Sequence, residues 1–236
     1  MILQGLMILL AAAIQGMTSF GFSLVALPLL TLLLPITVVV PILVLYSILL
    51  NVILLSKLYK HVHLKMITFL VIGGALGIPV GVWLLKSVPA DQLKRVAGVV
   101  IVIVGLLMLK GYRAHLKQPQ KWFGVVGLVS GILQGALSLS GPPVVLFLTN
   151  QDVDKLTFRA NLTAFFTLLN VVSIPGFILS GVITPLVMSK SLTLLPFMLG
   201  GLAIGMFSSN RINERLFKRL TLFLMIVSGI AAIVTA

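Results

Sequence analysis

Seven long stretches of this chain contain no aspartate, glutamate, lysine or arginine, and this feature limits the possible folds more than any other. Most of them are as long as the roughly 20 apolar residues that a transmembrane helix needs. Their apolar residues follow one another without the alternation of a membrane β-strand. The stretches are 1–56, 66–85, 96–109, 122–151, 160–189, 191–210 and 220–236. The pattern predicts an all-α polytopic membrane protein without a soluble domain.

The composition supports this class of protein. Hydrophobic residues make up 59% of the chain and charged residues 9%, whereas a soluble domain carries about 25% charged residues. Cysteine is absent, which excludes disulfides, thiolate metal sites and a cysteine nucleophile. The net charge of +13 would suggest nucleic acid in a soluble protein, but here the basic residues separate the apolar stretches. We interpret them as loop charges of the positive-inside rule, and no nucleic-acid partner is expected.

Two of the hydrophobic segments contain polar and helix-breaking residues at their centres. The chain divides into eight segments, namely 2–34, 36–56, 66–86, 92–110, 122–149, 158–180, 190–209 and 214–235. The first and fifth of these are unusually long. The central residues are Gln15, Gly16, Thr18, Ser19, Phe20 and Gly21 in the first, and Gln134, Gly135, Ser138, Ser140, Gly141, Pro142 and Pro143 in the fifth. We predict that both segments are broken helices or re-entrant hairpins.

The two halves of the chain resemble each other. An offset of 119 residues aligns Gln15 with Gln134, Ser19 with Ser138, and Asn51 with Asn170. Further matches are Gly73-Gly74 with Gly200-Gly201, and Lys94-Arg95 with Lys218-Arg219. We predict an internal duplication within a single transmembrane domain, 1–236. Repeat 1 covers 1–112, repeat 2 covers 122–236, and a basic loop at 110–121 joins them.

Loop charges predict the orientation of the repeats. If all eight segments cross the membrane, the 17 lysines and arginines divide almost equally between its two sides. If the first and fifth segments turn back, one side keeps only Lys86, Lys94, Arg95 and Lys190, and the other side receives the rest. The second arrangement obeys the positive-inside rule. Each repeat then crosses three times, so the repeats are inverted, both termini lie outside and the 110–121 loop is cytoplasmic. One long tilted helix in each place is the alternative.

The broken segments predict a binding site for an anion. A half-helix that begins inside the membrane presents free N–H groups and the positive end of its dipole. Transporters use such discontinuous helices to bind their substrates. The predicted substrate-binding residues are Gln15, Gly16, Thr18, Ser19, Phe20, Gly21, Asn51, Gln134, Gly135, Ser138, Ser140, Gly141, Pro142 and Asn170. The alternatives are that the cluster residues only pack the hairpin tips, and that Asn51 and Asn170 only form helix–helix hydrogen bonds.

The sequence does not predict an enzyme, a metal site or a cofactor. Its four acidic residues, Asp91, Asp152, Asp154 and Glu214, lie in or beside loops, so the usual carboxylate of a proton relay is missing from the membrane segments. His61 and His63 form an H-x-H pair that we interpret as solvated loop residues. No phosphate-binding loop sequence occurs.

These motifs resemble those of the sulfite exporter TauE/SafE family of bacterial membrane permeases, over nearly the whole chain. The resemblance rests on the two polar clusters, on Asn51 and Asn170, on Gly73-Gly74-x-x-Gly77, and on Leu93-Lys94-Arg95 and Phe217-Lys218-Arg219. It implies a permease of the bacterial inner membrane that moves sulfite, an organosulfonate or another sulfur oxyanion.

The leading hypothesis is therefore a transporter that moves a small anion by alternating access, with export favoured by the membrane potential. The partners expected are the anionic substrate and the lipid bilayer, and a homodimer is left open. One alternative is an anion channel on the same scaffold. Another is a membrane scaffold protein that transports nothing.

Overall fold

A computed structural model describes residues 1–110, 119–148, 154–208 and 214–236, and over these ranges the chain forms ten α-helices. Most of the expected 110–121 loop, and Asp152, lie outside the described residues. The helices are α1 (Ile2–Thr18), α2 (Phe22–Leu30), α3 (Ile36–Leu58), α4 (Leu64–Ser87), α5 (Ala90–Leu109), α6 (Pro119–Leu137), α7 (Gly141–Leu148), α8 (Lys155–Leu179), α9 (Pro185–Ser208) and α10 (Glu214–Val234).

The helices have the length and surface of membrane spans. Five of them, α3, α4, α5, α8 and α9, are long and apolar enough to cross a bilayer. Helix α4 shows how one span divides its surface. Its exposed stripe, spaced at three and four residues, consists of Phe69, Ile72, Leu76, Val80 and Trp83. A stripe of this kind is stable when it faces lipid. The expectation of an all-α polytopic membrane protein is confirmed.

The first and fifth hydrophobic segments each form a longer helix, a short break and a shorter helix. Helix α1 ends at Thr18 and α2 begins at Phe22. Helix α6 ends at Leu137 and α7 begins at Gly141. The polar clusters of the sequence therefore coincide with the two breaks.

Glycines bring two pairs of helices into backbone contact. A Cβ atom added to Gly77 of α4 would lie 2.3 Å from the carbonyl oxygen of Leu128 in α6. In the same way, a Cβ on Gly201 of α9 would lie 2.2 Å from the carbonyl oxygen of Leu9 in α1. Both pairs run parallel, because Gly81 and Gly205, one turn further on, meet residues one turn further along the partner helices.

These contacts suggest a different alignment of the second half of each repeat. Leu9 and Leu128 are 119 residues apart, but the glycines that meet them, Gly77 and Gly201, are 124 residues apart. The packing thus pairs Gly77 with Gly201, and not Gly73-Gly74 with Gly200-Gly201. Lys94-Arg95 and Lys218-Arg219 share the 124-residue spacing.

Two further pairs of helices run antiparallel. In the α5–α10 pair, Gly98 meets Gly229 and Gly105 meets Ile226. Residue numbers therefore rise along α5 in the direction in which they fall along α10. In the α3–α8 pair, the N–H of His63, just after α3, donates to Asn161 near the start of α8 at 2.8 Å. Helices α3 and α8 are also among the most buried spans, and they form the centre of the bundle.

Candidate functional site

The break after α1 is built around two residues with left-handed backbones. Ser19 has φ 66° and Gly21 has φ 102°. Glycine adopts this region freely, whereas serine is strained there. The Ser19 N–H still donates to the Gln15 carbonyl at 2.7 Å, which closes the last turn of α1. The chain then bends so sharply that the N–H of Phe22 reaches the side chain of Gln15.

Gln15 organises this break with its amide. Its Oε1 accepts the Phe22 N–H, at the start of α2, at 3.1 Å. Its Nε2 donates to Asn51 Oδ1 in α3 at 2.8 Å and more weakly to the Ser19 carbonyl at 3.4 Å. Both amides are almost fully buried, and an unpaired buried amide group costs about 1–3 kcal/mol. The pair therefore fixes α1, α2 and α3 in one arrangement.

The second half repeats this arrangement. Ser138 is left-handed, with φ 56°, and its N–H donates to the Gln134 carbonyl at 2.9 Å. The Gln134 Nε2 donates to Asn170 Oδ1 at 2.7 Å, and the Asn170 Nδ2 donates to the Phe166 carbonyl at 2.7 Å. The asparagines thus do form the interhelical hydrogen bonds that were one alternative, and they bond to the breaks of their own halves.

The two breaks meet at a cavity between the halves of the chain. Its volume is about 40 Å³, which holds roughly three water molecules or one anion of about four heavy atoms. The two tips touch there, since Ser23 Oγ lies 3.3 Å from Ser138 Oγ. The lining residues are Gln15, Gly21, Phe22, Ser23, Leu24, Ser47, Asn51, Gln134, Ser138, Leu139, Ser140, Gly141, Phe166 and Asn170.

The cavity presents hydroxyls, amides and helix starts, and none of the described residues that line it is charged. The first turn of α2 and the start of α7, at Gly141, both face it. The dipoles of α2 and α7 place partial positive charge at these starts, although the Phe22 N–H already donates to Gln15 and Pro142 and Pro143 have no N–H. Such an arrangement can hold an anion more weakly than a buried cation would. Among the described residues, no group of three His, Cys, Asp or Glu could hold a metal ion.

Eight of the fourteen predicted site residues line this cavity, and six do not. The eight are Gln15, Gly21, Asn51, Gln134, Ser138, Ser140, Gly141 and Asn170. Gly16 and Gly135 are packing residues, because a Cβ on either would lie within 3 Å of the backbone of α9 or α4. Thr18 and Phe20 line a separate apolar pocket between the break and helices α5 and α10. Pro142 is buried in the first turn of α7.

Ser19, the sixth, is fully buried behind the cavity, where it meets a cation that the sequence did not single out. The Arg159 Nε donates to Ser19 Oγ at 2.8 Å. Arg159 borders a charge-free stretch and was counted with the loop charges, but α8 begins at Lys155, so Arg159 lies in its second turn.

The cavity also has lining residues that the sequence did not single out. Ser23 and Ser47 were not distinguished from other hydroxyl residues of apolar helices, nor Phe166 from other aromatic residues. The 119-residue offset pairs Ser47 with Phe166. Equivalent positions of the two halves therefore both line the cavity, although one holds a serine and the other a phenylalanine.

Asp154 is the N-cap of α8 and stabilises the first turn of that helix. Its carboxylate accepts the N–H groups of Leu156 and Thr157 at 2.9 and 3.1 Å. Hydrogen bonds from Thr157 lower the pKa of the Asp154 carboxyl below its usual value. The exposed carboxylate therefore serves the helix and takes no part in the cavity.

Apolar spans around a polar cavity, with broken helices whose ends face it, define a multi-pass membrane protein of the transporter type. The chain belongs to the sulfite exporter TauE/SafE family, whose model matches residues 5–232. Members of this family are membrane transporters of sulfur-containing anions. Neither the curated proteins nor the solved structures gave a match to this chain.

Proposed function

We propose that this protein carries a small sulfur oxyanion, with sulfite favoured, through the cavity between its two halves by alternating access. The single observation behind the proposal is that two helix starts, from different halves of the chain, face one cavity lined by hydroxyls and amides. The volume of about 40 Å³ suits sulfite, with four heavy atoms, better than a larger organosulfonate. The described lining residues are uncharged, which suits a substrate that must also leave.

The proposed mechanism requires two inverted repeats, and the helix directions support them. The equivalent helices α3 and α8 run antiparallel, and so do α5 and α10. Helix α1 packs on α9 as α6 packs on α4. Exchanging the two halves therefore preserves these four helix pairs. The contact between α2 and α10 has no counterpart of similar size between α7 and α5 within the described residues. A cavity between two such halves opens to one face or the other when one half rocks against its partner.

We further propose that α1 and α2 form a re-entrant hairpin, as do α6 and α7, in the inner membrane with both termini outside. The hydrogen bond from Phe22 N–H to Gln15 supports a reversal, because seven residues of a continuous helix would span about 10 Å. Leu3 and Leu33, which are both exposed, provide the test. Single cysteines at these two positions should be labelled from the same face of the membrane. Labelling from opposite faces would show that the segment crosses.

The proposed direction of transport is export. Moving one negative charge out of a cell that is negative inside is favourable by about 2.3 kcal/mol per 100 mV. Transport that did not respond to an imposed voltage would contradict this driving force. A homodimer is also part of the proposal.

The experiment that tests the proposal combines binding with flux. Sulfite should raise the apparent melting temperature of the purified protein above that seen with sulfate, thiosulfate and sulfoacetate, because a ligand of the folded state stabilises it. Proteoliposomes should then show saturable sulfite uptake that accelerates when they are preloaded with sulfite. Replacing Ser47 in the cavity with alanine should weaken both effects. Ser56→Ala, on the exposed face of the same helix, should leave both unchanged.

The same flux experiment separates the alternatives. A channel would show uptake that does not saturate and is not accelerated by internal sulfite. A scaffold protein would show neither binding nor flux. Either result would remove the carrier mechanism.

A further inference from the structure

The two breaks are held by different contacts from the opposite half of the chain. Ser138 in the second half meets the hydroxyl of Ser23 at 3.3 Å, a long contact between neutral groups. Ser19 in the first half accepts a hydrogen bond from the Arg159 guanidinium at 2.8 Å. The offset of 119 residues places Val40 where the first half would need an equivalent of Arg159. The arginine therefore has no equivalent at the matching position of the first half.

The Arg159–Ser19 contact is directly connected to the cavity wall. The carbonyl of Ser19 accepts a hydrogen bond from Gln15 Nε2, and the Oε1 of Gln15 receives the first N–H of α2. Gln15 and Phe22 both line the cavity. Two hydrogen bonds thus connect a half-buried arginine in α8 to the side chain that sets the start of α2.

Ser19 needs such a partner because its backbone is strained. The left-handed backbone of Ser19 is unfavourable for a residue that has a Cβ atom. Its side chain is fully buried, so water cannot replace a lost partner. A hydrogen bond from a charged donor is roughly twice as strong as one between neutral groups. The arginine is therefore the group that stabilises the strained turn.

We infer that Arg159 is a positioning residue for the anion site: it acts through Ser19 and fixes the orientation of Gln15 and of the start of α2. The inference rests on the proposed function, in that the cavity must bind an anion. Arg159 is not among the lining residues, so its effect reaches the anion through the turn. It also makes the binding of substrate by the first half depend on a helix of the second half.

The test compares four variants in proteoliposomes with sulfite as the probe. Arg159→Gln and Ser19→Ala should each raise the KM about tenfold, with a smaller change in maximal rate. The double variant should be no worse than the poorer single variant, because both substitutions remove the same hydrogen bond. Arg159→Lys should recover part of the affinity, since lysine can still donate to Ser19 Oγ. Arg95→Gln, which neutralises an exposed arginine that donates to the Ala236 carbonyl, is the control and should match the wild type.

Three results would overturn the inference. If Arg159→Gln raises the KM and Ser19→Ala does not, the arginine acts through space by its charge. If the effects of the two substitutions multiply in the double variant, the residues act independently. If both substitutions lower the melting temperature and leave the KM unchanged, the hydrogen bond is only structural.

If the wild type moves no sulfite, that result refutes the proposed substrate but does not test the role of Arg159. A second measurement tests this role without sulfite. The chain contains no cysteine, so Ser47→Cys places a single thiol in the cavity lining. The thiol is modified with a methanethiosulfonate reagent that carries a sulfonate group. The rate of this modification reports whether the cavity wall keeps its arrangement. Arg159→Gln and Ser19→Ala should change this rate equally, about tenfold, and Arg95→Gln should not. Unchanged rates in both variants would contradict the positioning role.

Discussion

Gly81→Ala is the substitution whose effect follows most directly from the packing of the bundle. A Cβ at this position would lie 2.2 Å from the carbonyl oxygen of Ile132 and 2.8 Å from the N atom of Ala136. Ordinary contacts of a Cβ atom begin near 3.4 Å, so α4 and α6 must separate by about 1 Å. Both opposing groups are backbone atoms of one helix, and no side chain can rotate away. The strain therefore falls on the whole helix pair.

The magnitude follows from two opposing terms. Forcing an extra methyl group into a close-packed contact costs about 1–3 kcal/mol, and more where the backbone must move. Alanine recovers up to about 1 kcal/mol over glycine in a helix. A net loss of about 2 kcal/mol corresponds to a fall of roughly 4–8 °C in the melting temperature of a chain of this length.

The assay is thermal denaturation of the purified protein in detergent, with Gly200→Ala as the control. Gly200 lies in α9 with nothing within 4 Å of its added Cβ, so alanine there should leave the melting temperature unchanged or raise it slightly. Gly205→Ala, whose Cβ would lie 2.1 Å from the carbonyl oxygen of Ala13, should behave like Gly81→Ala. Equal melting temperatures for Gly81→Ala and Gly200→Ala would refute the backbone contact between α4 and α6.

Three further predictions concern the site and the start of α8. Asn51→Leu removes the shorter of the two hydrogen bonds that the buried Nε2 of Gln15 donates and should cost about 1–3 kcal/mol, measured as a lower melting temperature; no change would show that the amide finds another partner. The lowered pKa of Asp154 means that its cap stabilises the protein above about pH 4 and that this contribution disappears as the pH falls through the folded-state value. The difference in melting temperature between the wild type and Asp154→Ala should therefore shrink from pH 7 to pH 3, and a difference independent of pH would contradict the cap. Phe166→Ala enlarges the cavity and should shift the preference in the thermal-shift screen from sulfite towards sulfoacetate, whereas an unchanged preference would show that the ring does not limit the size of the substrate.

The sequence indicated the two amide contacts beside the cavity because polar residues are scarce in its apolar segments. Gln15, Asn51, Gln134 and Asn170 occur in the same order and at the same spacing in both halves. A buried amide in a membrane helix needs a partner, so two matched pairs indicate two matched contacts. The structure forms both of them.

Other features could not be read from spacing. Glycines are frequent in this chain, so a match of Gly73-Gly74 with Gly200-Gly201 is expected by chance. It is therefore weak evidence for how the two halves align. The 119-residue offset becomes 124 between α8 and α9, and only packing reveals where the extra residues fall. Arg159 was missed because the limits of a charge-free stretch do not show where a helix begins. Its partner, Ser19, lies 140 residues away.

The walls of the cavity are not copies of each other, since Ser47 lies on one side and Phe166 at the matching place on the other. An anion that arrives from the cytoplasm and one that arrives from outside would therefore meet unlike surfaces. The half-saturating concentrations of the anion measured from the two faces should therefore differ. The equilibrium distribution of the anion across the membrane still depends only on its concentrations and on the voltage. A carrier with two identical walls would lack this difference.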